Sequence, residues 1–218
     1  SIGLSVVAEG LLRAHLPAAP WRPLVDNLGY SVGFLVVILG RQQLFTENTI
    51  TVVLPAVADR RKDTLLAMLR LWSIVFLANM LGAAFGAAAL SSDLFFPPEA
   101  QAAFREVATH LLAPDATTIF WRAIPAGFIV AALVWTLPSA AGTSVFVIVL
   151  LTYLIALGDL SHVIAGAVEA FLLVFDGAIG IDEAVLGFVL PALLGNILGG
   201  TTLFALIAYA QVREEIAD

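Results

Sequence analysis

The 218-residue chain contains no cysteine, and only 12% of its residues are charged. The absence of cysteine excludes a disulfide framework and a thiolate metal site. The scarcity of charge, with 61% hydrophobic residues and a mean hydropathy of +1.00, excludes an ordinary soluble domain. No basic arm is present, so we expect no nucleic-acid partner. The composition predicts an integral membrane protein whose surroundings are a lipid bilayer.

Motifs of hydrolytic and metal chemistry are also missing. The sequence contains no HExxH, no GxSxG and no phosphate-binding loop, and its histidines and carboxylates do not cluster at metal-ligand spacing. We therefore expect neither an enzyme nor a bound metal or other cofactor.

Long apolar runs predict an all-α protein with six transmembrane helices, since about 20 apolar residues cross the hydrocarbon of a bilayer. The predicted spans are residues 1–16, 29–57, 65–90, 119–137, 144–174 and 184–210. The first is partial and lacks the features of a signal peptide, so we interpret it as the second part of a span. The second and fifth are broken by the polar stretches GRQQLFTENT and GDLSH. The spans form one domain over residues 1–218.

Basic residues are concentrated between the second and third spans, in DRRKDTLLAMLR. The positive-inside rule places this segment, and with it both termini, in the cytoplasm. The connections on the opposite side are PAAPWRPLVDN, the linker 92–117 and FDGAIGIDE. Within the linker, apolar and charged residues alternate at helical spacing over residues 99–112. This pattern favours a short helix on the membrane surface, with a protein-binding helix as the alternative.

An internal repeat relates the two halves of the chain. LANMLG and LGNILG match at four of six positions, and their asparagines, Asn79 and Asn196, are 117 residues apart. The same offset applied to Phe45 gives His162. We therefore predict two inverted three-helix repeats, approximately residues 1–91 and 118–210, with broken second and fifth helices. Paired broken helices place a substrate site near the membrane midplane.

Each interruption is expected to be a pore loop, because unpaired backbone at membrane depth must be buried in protein or line a wet cavity. Thr46 and Ser161 are the candidate caps of the two half-helices that follow the breaks. The positive ends of these half-helices favour a small anion between them. A structural alternative for Asn79 and Asn196 is close helix packing with an amide bonded across an interface.

Three motifs resemble the formate/nitrite transporter family. LFTENT is similar to that family's LFTGN-type loop, SHVIAG to its EHSIAN loop, and LPALLGNILGG to its PVTLGNIIGG signature. The resemblance extends to YAQVRE near the end of the chain, and GRQQLFTENT resembles the divergent YfdC-like branch. It implies the aquaporin-like formate channel fold, a homopentamer with one pore per subunit, and a bacterial inner membrane. Aquaporins share the architecture, but their paired NPA tripeptides are absent here.

The resemblance also implies roles for individual residues. His162 matches the central pore histidine, Phe45 one constriction and Leu154 the other. Two family features differ: the region before the fourth span has no lysine and offers only His110, and Gly127 stands where the family has asparagine. The predicted pore residues are Phe45, Thr46, Glu47, Asn48, Leu154, Ser161 and His162.

Ionisable residues within the spans decide which solute this pore would admit. Histidine side chains ordinarily titrate near neutral pH, so His162 is a candidate to attract an anion or to donate a proton to a passing carboxylate, although a lone histidine is also a common packing residue. Glu47 disfavours anions if it lines the pore, whereas an ion pair with Arg41 would brace the loop. Asp159 and Glu169 disfavour anions if they face the lumen. Glu9 and Arg13, one helical turn apart, are expected to pair.

Three functions remain open at this point. The first is a channel or secondary transporter for small monovalent anions of weak acids, of the formate, nitrite or hydrosulfide type. The second is a pore for cations, ammonia or protons, which Glu47 and the missing lysine favour. The third is a non-conducting membrane scaffold or sensor of the same fold.

Overall fold

A computed structural model describes residues 1–59, 61–205 and 207, and this part of the chain is helical with no strand. The helices are α1 (Leu4–His15), α2 (Pro23–Leu39), α3 (Asn48–Thr51), α4 (Val53–Asp59), α5 (Lys62–Leu90), α6 (Pro98–Leu112), α7 (Ala116–Ala140), α8 (Ser144–Leu157), α9 (Val163–Phe175) and α10 (Glu183–Ala205). Both ends of α10 are wound as π-helix. Arg60 and the YAQVRE segment, used in the predictions above, lie outside the described residues.

The long apolar helices correspond to the predicted spans. In the described part of the chain, α5, α7 and α10 are long and apolar enough to cross a membrane, and α2, α8 and α9 are shorter apolar helices. The predicted break in the second span is confirmed, since α2 ends at Leu39 and the next helix begins at Asn48. The break in the fifth span is also confirmed, between Leu157 and Val163.

The two breaks begin with the same backbone motif. Arg41 and Asp159 both adopt left-handed backbone, with φ of 51° and 49°. The next residue in each loop, Gln42 or Leu160, donates its backbone N–H to the carbonyl five residues earlier, as in the common helix-ending motif with a left-handed residue. Left-handed backbone is costly for residues other than glycine, so its occurrence at matching places indicates a related geometry in the two halves.

The structural equivalence of the loops differs by one residue from the sequence prediction. Arg41 and Asp159 are 118 residues apart, not 117. Leu44, and not Phe45, therefore corresponds to His162. Asn79 and Asn196, in contrast, are 117 residues apart. The first half therefore has one residue more than the second half between its broken loop and its asparagine.

The connections predicted on one side of the membrane are tied together by ion pairs. Arg22, before α2, pairs with Glu106 of α6, and Arg105 of α6 pairs with Asp176 at the end of α9. These contacts place the three connections on one face of the protein. Between them, Asp115 caps α7 by accepting a hydrogen bond from the Thr118 N–H, which lowers the pKa of the Asp115 carboxyl below its ordinary value.

The linker contains the predicted helix, α6, but its apolar face is covered by the chain itself. Phe104 is fully buried, and α6 packs against α1 and α9. A side chain at Gly10 of α1 would overlap the Phe104 ring. The interpretation of this apolar face as a membrane-surface contact is therefore wrong, because the face contributes to the protein's own core.

Helices α7 and α10 cross at very close range. A Cβ atom at Gly127 of α7 would lie 2.3 Å from the Asn196 carbonyl oxygen, and one at Gly199 of α10 would lie 1.9 Å from the Ile124 carbonyl oxygen. Real Cβ atoms do not approach backbone so closely. The crossing therefore requires glycine at both positions.

Substitution of Gly199 by alanine is expected to destabilise the protein by about 1–3 kcal/mol, because an added methyl group in a packed interface forces the two helices apart. The matched control is Gly86→Ala in α5, where the new methyl group meets only a Val168 side-chain carbon at 3.9 Å. There alanine is expected to stabilise the helix by about 0.5–1 kcal/mol. Thermal unfolding of the purified protein in detergent measures both changes, and equal melting temperatures for the two variants would contradict the close crossing.

Candidate functional site

A cavity of about 440 Å³ lies on the face that carries α6, and we call it the vestibule. It runs inward from Glu106 and His110 of α6 to His162 at the start of α9. Three predicted site residues line it, namely Asp159, His162 and Glu169. The vestibule therefore ends at one of the two helix breaks.

His162 forms the floor of the vestibule and is 1% exposed. Its Nδ1 accepts a hydrogen bond from the Ala165 N–H at 3.2 Å and so caps α9. Since Nδ1 is an acceptor, the proton of the neutral ring is on Nε2, which lies 2.7 Å from Thr46 Oγ1. The edge of the ring also meets Phe34, with ring centroids 5.0 Å apart.

The bond between Thr46 and His162 joins the two breaks. It also changes the predicted capping: Thr46 does not cap α3, because its hydroxyl contacts the histidine, and Ser161 does not cap α9, because His162 does so. Ser161 instead contributes backbone contacts, which include a hydrogen bond from its N–H to the Arg122 carbonyl. Both residues are buried at the breaks but lie outside the vestibule lining.

Asn79 and Asn196 hold the two breaks in the same way. Asn79 accepts from the Phe45 N–H at 2.8 Å and donates to the Gln43 carbonyl at 3.0 Å. Asn196 accepts from the Val163 N–H at 2.8 Å and donates to the Ser161 carbonyl at 2.9 Å. These amides satisfy backbone groups that have no helical partner, which is what a break at membrane depth requires.

The predicted constriction residues lie in different environments. Phe45 is buried, its ring packs edge-to-face with those of Trp72 and Phe76, and it does not line the vestibule. Leu154 is 49% exposed on the outside of the subunit and does not line the vestibule. The assignment of Leu154 to a constriction is therefore wrong, because helix α8 turns that position outward.

The predicted ion pair between Arg41 and Glu47 is not formed. Arg41 is exposed, Glu47 is half-buried, and neither belongs to an ion pair within the part of the chain that the structure describes. Glu47 also lies outside the vestibule lining. Asn48 stabilises the loop, since its amide donates to the Leu44 carbonyl at 3.1 Å.

An ion-pair network at the mouth of the vestibule was missed by the sequence analysis. The predicted pair of Glu9 and Arg13 forms, at 3.9 Å, but Arg13 lies closer to the fully buried Asp26, at 2.9 Å. Arg22 pairs with Glu106 at 2.7 Å. No pattern in the sequence predicts this network, because it forms only when α2 and α6 pack against α1.

The vestibule has more acidic than basic groups. Its ionisable residues are the carboxyl groups of Glu9, Glu106, Asp159 and Glu169, the phenol of Tyr30, and the basic side chains of Arg13, Arg22, His110 and His162. The expected basic candidate His110 does line it, and its Nε2 lies 3.1 Å from an oxygen of Asp159. Both arginines are already paired with carboxylates. The positive charge of the wall is therefore balanced before any solute enters.

Comparison with known proteins identifies relatives of this chain. Residues 1–210 match the family described as formate/nitrite transporter. The chain is 39% identical over 218 residues to the inner membrane protein YfdC of Escherichia coli (strain K12). This match covers 100% of the chain and 70% of YfdC. The chain is also 34% identical over 91 residues to the formate channel FocA of Haemophilus influenzae, and this match covers 41% of the chain and 31% of FocA.

Two solved structures have the same fold. A pentameric formate channel with formate bound superposes with a TM-score of 0.81 at 19% identity, and the match covers 98% of this chain and 92% of the channel. An FNT family ion channel gives a TM-score of 0.80 at 20% identity, with coverage of 96% and 85%. At these identities the likeness shows the architecture.

Proposed function

Because this chain belongs to the formate/nitrite transporter family, a family of channels and transporters and not of enzymes, we propose that it is a pore for small monovalent anions of weak acids. Formate, nitrite and hydrosulfide are the candidate solutes. We further propose a homopentamer in the bacterial inner membrane, which the pentameric formate channel and the inner membrane protein YfdC support. With the basic segment before α5 in the cytoplasm, the vestibule opens to the opposite side.

The observation that carries this proposal is the bond between Thr46 and His162 at the vestibule floor. It places one hydroxyl and one imidazole at the meeting point of the two breaks. Next to Thr46 in the chain, Phe45 packs with Trp72 and Phe76 in an apolar segment that offers no charge to a solute. An anion that takes a proton at His162 passes this apolar segment as a neutral acid, which avoids the cost of a bare charge in hydrocarbon.

A cation, ammonia or proton pore is the second candidate, and the acidic wall of the vestibule favours it. Four carboxyl groups line the cavity with two arginines and two histidines. Clefts of one sign of charge concentrate ions of the opposite sign. The acidic wall, more than the half-buried loop residue Glu47, is therefore the feature that opposes anion entry.

The reversal potential distinguishes these candidates. Purified protein in a planar bilayer, under opposing gradients of sodium formate, is expected to reverse near the formate equilibrium potential at pH 7 and to shift when the pH is lowered to 5. A reversal potential near the sodium or proton equilibrium value would exclude the anion pathway and support the cation, ammonia or proton pore. No conductance for any tested ion would contradict both and would favour a non-conducting scaffold.

A further inference from the structure

Glu169 is a buried carboxyl group that has no partner in the part of the chain that the structure describes. It is 3% exposed, lines the vestibule two helical turns after His162, and has no hydrogen bond or ion pair among the described residues. The other buried carboxyl groups near the vestibule differ, since Asp26 is paired with Arg13 and Glu9 lies 3.9 Å from the same arginine. An uncompensated buried carboxylate is unfavourable unless something outside the protein neutralises it.

Two further oxygen-bearing side chains share the cavity wall with Glu169. Glu9 comes from α1, and Tyr30 comes from α2 with a hydroxyl that has no hydrogen-bond partner in the described part of the chain. All three side chains therefore line one cavity. The remaining charged or titratable groups that face this part of the vestibule are Arg13, Arg22, Glu106, His110, Asp159 and His162.

The arginines do not neutralise Glu169. Arg13 contacts Glu9, Asp26 and Glu106, and Arg22 contacts Asp26 and Glu106, so their charge is already shared among three carboxylates. In the residues that the structure describes, no group of three histidines or carboxylates is placed to hold a metal ion. The set of two carboxyl groups and one hydroxyl suits an ion of single positive charge.

We propose that Glu169, with Glu9 and the Tyr30 hydroxyl, binds a small monovalent cation in the vestibule: a sodium ion, an ammonium ion or a proton. The part this site plays in transport rests on the proposed function. A solute anion that enters the acidic vestibule meets a bound cation before it reaches His162, so the pair moves without net charge. The site explains how an acidic vestibule can serve an anion pathway.

Cation-dependent stability tests the site without any transport. Binding to the folded state raises the melting temperature. The full chain in detergent is therefore expected to melt higher in sodium or ammonium chloride than in choline chloride of equal concentration at pH 7. Glu169→Gln keeps the shape but removes the charge, so the apparent cation affinity is expected to fall about tenfold or more, as for other lost hydrogen bonds to charged groups. The matched control is Glu99→Gln, which lies outside the vestibule lining and is expected to behave as the unsubstituted protein.

Melting curves between pH 5 and 8 in choline chloride test whether the bound cation is a proton. A pH dependence that Glu169→Gln flattens and Glu99→Gln retains identifies a proton as the ligand. If Glu169→Gln does not fold, Tyr30→Phe is expected to weaken the same cation effect. Equal melting temperatures in all three salts, with superimposable pH curves for Glu169→Gln and the unsubstituted protein, would overturn the site.

Formate flux into liposomes separates this inference from the proposed function. A cation-dependent melting temperature with no formate flux retains the site and contradicts the anion pathway. Formate flux with no effect of cations or of Glu169→Gln contradicts the site and retains the pathway.

Discussion

Replacement of Asn196 by alanine is expected to be the most destabilising single substitution considered for this protein. The Asn196 side chain is fully buried, and its amide donates to the carbonyls of Ala123 and Ser161 while its oxygen accepts from the Val163 N–H. Alanine leaves the Val163 N–H and the Ser161 carbonyl without a partner at membrane depth, and it also removes the bond to the Ala123 carbonyl of α7. Each such group costs about 1–3 kcal/mol, so we expect a loss of roughly 3 kcal/mol or more.

Asn79→Ala is the matched control, because Asn79 holds the other break with two hydrogen bonds and not three. Its bond to the Gln43 carbonyl is at an exposed position, where water can replace the amide. Thermal unfolding in detergent is expected to show a clearly smaller loss for Asn79→Ala than for Asn196→Ala. Equal losses would mean that the third bond, to the Ala123 carbonyl of α7, contributes nothing.

The substitution His162→Asn is expected to remove the pH dependence of anion flux while it preserves the fold. Asparagine is a favourable N-cap residue, so it can still accept from the Ala165 N–H and end the break correctly. It has no titratable group, and its shorter side chain loses the contact with Thr46. We expect formate flux at pH 5 to fall at least about tenfold, which corresponds to about 1.4 kcal/mol of lost barrier stabilisation.

Stopped-flow uptake of formate into liposomes, measured from pH 5 to 8, checks this expectation. His110→Asn provides the matched control, because His110 is the other vestibule histidine but lies at the exposed mouth beside Asp159. His110→Asn is expected to retain the pH profile of the unsubstituted protein. A profile that His162→Asn leaves unchanged would exclude His162 as the protonating group and leave it a capping residue.

The helix breaks were predictable because their signal is local. Polar residues interrupt apolar runs at GRQQLFTENT and GDLSH, and the structure ends α2 and α8 at those places. The location of His162 at a helix break was predictable for the same reason, since it directly follows GDLS in the sequence. The pairing of Phe45 with His162 was off by one residue, because an offset taken from LANMLG and LGNILG does not register the extra residue between loop and helix.

The ion pairs at the mouth of the vestibule were not predictable in this way. Arg22 and Glu106 are far apart in sequence, and their ion pair exists because α6 packs back onto α1. The same contact turned the apolar face of α6 into core. Leu154 was misassigned for a related reason: in a helix with apolar residues on every side, composition does not distinguish the inner face from the outer face.

The sequence by itself determined that this protein spans a lipid bilayer and that two of its helices are broken by polar loops. It also determined that an asparagine follows each loop at a matching place in the two halves. These properties depend on the solvent and on the local backbone, which apolar runs and polar interruptions specify directly. Only the tertiary structure decided that Thr46 meets His162, that both arginines of the vestibule are neutralised, and that Glu169 has no partner among the described residues. Those facts depend on which distant side chains share one low-dielectric cavity, where the charge of each group acquires its effect from its neighbours.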